Sequence, residues 1–135
     1  MASALIGAQL LSACSSGAST AARTRTIEVD GEKVAASALR EAVTGLCAAL
    51  EHLPADPGAA RDAYYSLSHD RLHMIATAVQ EIDRSAAASL LQAMAVVEER
   101  LAQPPFPASL AGDLDRLVAA TRAALRALSI PTEPC

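Results

Sequence analysis

The chain has 135 residues, 52% hydrophobic and 19% charged, with a formal net charge of −4. Alanine accounts for 32 of them, aromatics for three (Tyr64, Tyr65 and Phe106), and Lys33 is the single lysine. This composition excludes a β-sandwich or barrel, which needs β-branched and aromatic residues, and a disordered chain, which is less hydrophobic. One domain with a modest core fits the length. The densest basic spot is Arg23 with Arg25; without a basic stripe to neutralise phosphates, nucleic acid is not an expected partner.

Residues 4–13 form a short apolar run interrupted by Gln9. Ten residues make about 15 Å of helix, too short to cross a bilayer but suited to the apolar region of a signal peptide. The run ends in Leu11-Ser12-Ala13-Cys14, followed by Ser15, Ser16 and Gly17. This stretch resembles the lipobox of bacterial lipoproteins: a leucine, two small residues, then the cysteine that receives lipid. The resemblance covers only the N-terminal segment. It implies a diacylglyceryl group on Cys14, cleavage before it, and a cell-envelope, extracytoplasmic location with the membrane and an envelope protein as partners. It departs from the class in one respect, since no Lys or Arg precedes Arg23. On this reading 1–13 are signal-like, and 14–32 are a tether and extended lead-in.

Within the lead-in, residues 24–32 alternate in polarity and carry an Asp30-Gly31 turn signal. Hairpin and helix lead-in compete there; no partner strand is evident, which favours a single extended stretch.

Four helices follow, over residues 33–53, 56–83, 85–102 and 108–128. The first has Leu39, Val43, Leu46, Leu50 and Leu53 on one face and stops before Pro54. The second starts with Asp56 as N-cap and Pro57 in the first turn; its stripe is Tyr65, Leu72, Ile75, Val79 and Ile82, which makes Tyr65 a core aromatic and Tyr64 a flanking one. The third starts at Ser85 and carries Ala87, Leu90, Met94, Val97 and Leu101. The fourth carries Leu110, Leu114, Leu117, Thr121, Ala124 and Leu128, with Asp113 and Asp115 solvated in its first turns. The tight joint at residues 83–85 also allows one long kinked helix in place of the second and third. Short connections make neighbouring helices antiparallel, so the predicted fold is all-α, an up-down-up-down four-helix bundle over 33–128 with a tail at 129–135.

With Cys14 assigned to lipid, Cys47 and Cys135 remain. An exported compartment permits a disulfide, and the tail from Ile130 could reach about 20 Å when extended. Periodicity places Cys47 well along the first helix and Cys135 at the opposite end of the bundle. A bridge is therefore possible but not favoured, and two unpaired thiols, with Cys47 a small hydrophobe, are an expectation of at least equal weight.

Chemistry concentrates at Ser68-His69-Asp70-Arg71-Leu72-His73. His69 and His73, spaced i, i+4, share a helix face and are candidate ligands for Zn²⁺ or Cu²⁺. They lie about 80° and 120° from the centre of the apolar stripe, flanking the core. Asp62 falls on the same side, and Glu98 on the third helix, with Glu99 or Glu41, could add a carboxylate. The motif is His-x3-His rather than His-Glu-x-x-His, and no glycine-rich phosphate loop occurs. Ser68, His69 and Asp70 are sequential, so on a regular helix they point apart and form no triad. The expected function is a non-enzymatic binding or structural module, with metal or small-ligand binding through His69 and His73 as the alternative. A partner surface would leave apolar side chains uncovered, with Leu67 and Met74 the first candidates.

Overall fold

The computed structural model describes residues 25–135. The segment resembling a lipobox, Cys14 included, lies outside them. The alanine-rich stretches fold as four helical rods around one core, preceded by a small two-stranded sheet. The elements are β1 (Thr26–Val29), β2 (Glu32–Ala35), α1 (Ala36–His52), α2 (Pro57–Ala63), a π-helical turn (Tyr64–Ser68), α3 (His69–Gln80), α4 (Arg84–Leu101) and α5 (Leu110–Ala127). The second rod comprises α2, the π turn and α3.

The lead-in is a hairpin rather than a single extended stretch. β1 and β2 pair antiparallel, with Val29 opposite Glu32. Asp30 and Gly31 both have positive φ, 50° and 82°, the conformation a two-residue turn needs and the reason Asp-Gly is a strong hairpin signal. The missing partner strand is Glu32–Ala35, whose residues 33–35 periodicity alone assigns to the first helix. The hairpin packs on α3 and delivers the chain directly into α1.

Where the apolar stripes are regular, the helices bury the expected faces. Leu39, Val43 and Leu46 of α1 are buried, as are Leu90, Met94, Val97 and Leu101 of α4 and Leu110, Leu114 and Leu117 of α5. Asp56 caps α2 by accepting from the Ala59 amide at 2.9 Å. Asp83, not Ser85, caps α4, accepting from Ala86 N at 2.9 Å. That cap separates α3 from α4, so the two are not one kinked helix. It also leaves Ile82 outside either helix and 65% exposed, although the apolar spacing places it in the core.

The second rod departs most from regular geometry. His69 N–H reaches back five residues to Tyr64 O, the bond that defines a π turn. On an unbroken α-helix, Tyr65 would lie about 20° from Leu72 and hence in the core. The extra residue turns everything upstream by one position. Tyr64 is therefore the buried aromatic and Tyr65 is 41% exposed, which reverses their expected roles.

The π turn seats on α1. Ser68 is buried and donates to the Ala42 carbonyl at 2.9 Å. Gly45 lies beneath it: a Cβ there would stand 2.3 Å from Ser68 Oγ and 2.7 Å from Leu67 Cβ. Arg71 clamps the same joint, donating to Leu67 O at 2.8 Å and to Glu41 at 2.7 Å.

The C-terminal tail corrects the expectation for the cysteines. Ser129 adopts a positive φ of 58°, reversing the chain after α5. Ile130 is then buried, Arg25 donates to Ser129 O and Arg122 to Glu133 O. Directed back along α1 in this way, the tail brings Cys135 to Cys47, and the two form a disulfide with Cα atoms 5.3 Å apart. Periodicity locates helix ends but not the direction of the tail beyond them. No helix among the described residues is long and apolar enough to cross a membrane.

Two outcomes follow. Closing a loop with a sequence separation of 88 should stabilise the fold by about 4–5 kcal/mol on chain-entropy grounds, so urea unfolding of Cys47→Ala/Cys135→Ala should show a loss approaching that size. Gly45→Ala should cost about 2–4 kcal/mol, the range of overpacking and a displaced buried hydrogen bond, with circular dichroism confirming that the variant still folds.

Candidate metal centre

Three side chains from two rods meet on one flank of the molecule. α3 contributes His69 and His73 and α4 contributes Glu98; one ligand atom from each lies within 4.8 Å of the others. The two imidazoles stand edge to face, ring centroids 4.8 Å apart. His73 is exposed, and His69 and Glu98 are half-buried. Asp62 is not part of the group: it is exposed on α2, and its backbone carbonyl accepts from Ser66 at 2.6 Å. Glu41 is engaged with Arg71, and Glu99 lies near Arg100 instead.

His69 is held on both nitrogens. Nδ1 is 3.0 Å from Asp70 Oδ1 and Nε2 is 3.3 Å from Glu98 Oε1. A neutral imidazole has a single N–H. If Nδ1–H donates to Asp70, Nε2 turns a lone pair toward a carboxylate oxygen, and an electrophile, either a proton or a metal cation, belongs between them. The spacing suits a metal: two donors each about 2.0–2.1 Å from a tetrahedral Zn²⁺ are about 3.3 Å apart. His73, the exposed member, completes the group within the same 4.8 Å. Asp70 occupies the outer position that carboxylates take behind metal-bound histidines, where they fix the tautomer and raise ligand basicity.

Glu98 is oriented in turn by Tyr64, whose hydroxyl donates to Oε1 at 3.0 Å. Burial, and then the Glu98 charge beside it, push the Tyr64 phenol well above the ordinary tyrosine value, so Tyr64 is a fixed donor rather than a ligand. Along the rod, Arg61 sits over the Tyr65 ring at 6.0 Å and the Tyr65 ring is 5.5 Å from that of His69.

The π turn builds this arrangement. Its defining bond is made by the His69 amide, and it turns Tyr64 inward beneath Glu98. Such turns are frequent at functional sites. Periodicity could not find Tyr64 or Asp70 as supports, because nothing in the spacing of apolar residues marks an inserted residue. The serine, histidine and aspartate in sequence form no triad: Ser68 donates into α1, away from His69.

A second charged group was expected to be solvated and is not. Asp113 is 5% exposed; Arg116 donates to Oδ1, and Arg100 Nε lies 3.7 Å from Oδ2. Its place in the first turn of α5 is turned against α4, and the two guanidiniums compensate its burial. Asp115 is exposed, as expected. Leu67 is 45% exposed, whereas Met74 packs partly against the core.

The chain matches no family model, no curated protein and no solved structure.

The raised Tyr64 pKa has a pH signature. The unfolded chain ionises this phenol near pH 10 while the folded one holds it neutral, so the unfolded state binds fewer protons there and stability falls as pH rises beyond that value. The wild type should lose stability progressively above about pH 10; Tyr64→Phe should flatten that slope in denaturant titrations while losing about 1 kcal/mol at neutral pH.

Proposed function

We propose that this chain is an envelope-anchored lipoprotein whose helical domain is a non-enzymatic module binding a divalent transition metal, Zn²⁺ or Cu²⁺, through His69, His73 and Glu98. The observation that carries the metal reading is the convergence of these donors within 4.8 Å, with Asp70 and Tyr64 orienting two of them from behind. Two imidazoles and a carboxylate are a donor set that suits these borderline cations. The four rods are arranged up-down-up-down: the connections at residues 53–56 and 81–83 are short, and short connections favour antiparallel neighbours.

Support for the extracytoplasmic location comes from the cysteines. The Cys47–Cys135 disulfide suits an oxidising compartment and is uncommon in a reducing one. It also leaves Cys14 as the one cysteine free for lipid. A structural, partner-binding role is the second reading, favoured by the exposure of Tyr65, Leu67 and Leu91.

Calorimetric titration of Zn²⁺ and Cu²⁺ should give micromolar or tighter binding for the wild type, no comparable heat for His69→Ala/His73→Ala, and affinity reduced about 10–100-fold for Asp70→Asn. Heat unaffected by the double substitution would rule out the site. Mass spectrometry of a bacterial membrane fraction should find Cys14 as a lipidated N-terminus; an intact, unlipidated Met1 would remove the anchor.

A further inference from the structure

We infer that the end of the domain from which the chain leads back to Cys14 is a membrane-contact surface, and that Ile82 is the side chain that enters the bilayer interface. This inference rests on the lipoprotein reading above and adds to the anchor the face that the domain turns toward the lipid.

Position comes first. Ala36 N, at the start of α1, donates to Arg25 O at 2.8 Å, and the Arg25 guanidinium donates to Ser129 O beyond the end of α5. Arg25, Ile27, Ala78, Ile82 and Leu128 line one groove. The first described residue, the turn between α3 and α4 and the end of α5 therefore share one end of the molecule. Cys14 is eleven residues before Arg25, a span of at most about 40 Å. To bring the opposite end to the bilayer, past His52, the same span must also cover α1, whose 17 residues are about 25 Å long. The near end is reached with that length to spare.

Exposure then selects the residue. Tyr65, Leu67, Ile82 and Leu91 are the large apolar side chains exposed among the described residues, and Ile82 is the most exposed of them, at 65%. Leu67 lies against Gly45 in mid-α1 and Leu91 is well along α4, whereas Ile82 stands in the groove shared with Arg25. The Ile82 and Asp83 amides both donate to Val79 O, at 3.0 and 2.7 Å. The turn can therefore displace interfacial water without stranding either donor.

A lone exposed isoleucine is ordinary on a protein surface, and by itself it is too small to hold a domain on a bilayer; the lipid on Cys14 supplies the first anchor and Ile82 the second. Exposed Glu28, Asp30 and Glu81 line the groove together with Arg25, so this surface has no excess of positive charge to draw it to anionic headgroups. The contact is thus with the apolar part of the interface.

The test uses the full chain, lipidated on Cys14 and reconstituted in phosphatidylcholine vesicles, with flotation reporting the anchor. The sequence has no tryptophan, so Ile82→Trp and, as the comparison, Leu91→Trp each carry one reporter. With bromine on the upper acyl carbons, Trp at position 82 should lose about half its emission, since interfacial apolar side chains reach about 5–10 Å into the headgroup and acyl boundary; Trp at position 91 should keep its emission, and high salt should change neither. Vesicles that carry the protein while position 82 stays unquenched overturn the inference and leave the anchor intact. Equal quenching at both positions, or quenching at 82 that high salt abolishes, overturns it likewise. A chain that bears no lipid and does not float overturns both readings.

Discussion

The contact between the π turn and α1 at Gly45 is the constraint on which the rest of the structure depends. A π turn widens the backbone and leaves its hydrogen bonds less favourably arranged than those of an α-helix. Here the neighbouring helix compensates. Ser68 donates into the Ala42 carbonyl, Arg71 satisfies the Leu67 carbonyl and ties it to Glu41, and Gly45 supplies the space. A core whose one buried aromatic is Tyr64 gains its stability from close helix approach rather than bulky side chains, and at Gly45 that approach leaves no room for a Cβ. The irregular turn thus persists because α1 is shaped to receive it.

The candidate metal centre inherits its order from this contact. Tyr64 begins the π turn and His69 follows it, so the same local geometry directs one toward Glu98 and opens the backbone at the other. The three converging donors sit on two rods, α3 and α4, while the residue that seats the π turn beside them sits on a third, α1. Disturbing Gly45 would therefore act on Glu98 and His69 without touching either.

Much of the helical framework could be read from the sequence, because leucine stripes at alternating spacings of three and four report one face of a regular helix. The stripes of α1, α4 and α5 illustrate this, with most boundaries shifted by a single residue and the largest shift at the start of α1. What could not be read was whatever broke the regularity. The exchange of Tyr64 and Tyr65 followed from one inserted residue, which polarity patterns do not register. Residues 33–35 joined a strand because the Asp30-Gly31 turn, a local signal, outweighed helical continuity. Asp113 was buried because Arg100 from the neighbouring helix and Arg116 one turn along its own both face it. His69, His73 and Glu98 could each be picked out as candidates, but their mutual distances and the supporting roles of Tyr64 and Asp70 are properties of packing between helices.

The disulfide gives the chain an unusual connectivity. By joining mid-α1 to the last residue, it closes residues 47–135 into a covalent macrocycle. His69, His73, Glu98, Tyr64, Asp70 and Arg61 all lie on that ring, and the hairpin and the start of α1 form a single arm leading out of it. One peptide bond cut anywhere in the ring opens the circle without separating any of these residues from the others. A molecule built this way can be nicked in an exposed loop, such as residues 102–109, and still keep every part of the centre attached to the same arm.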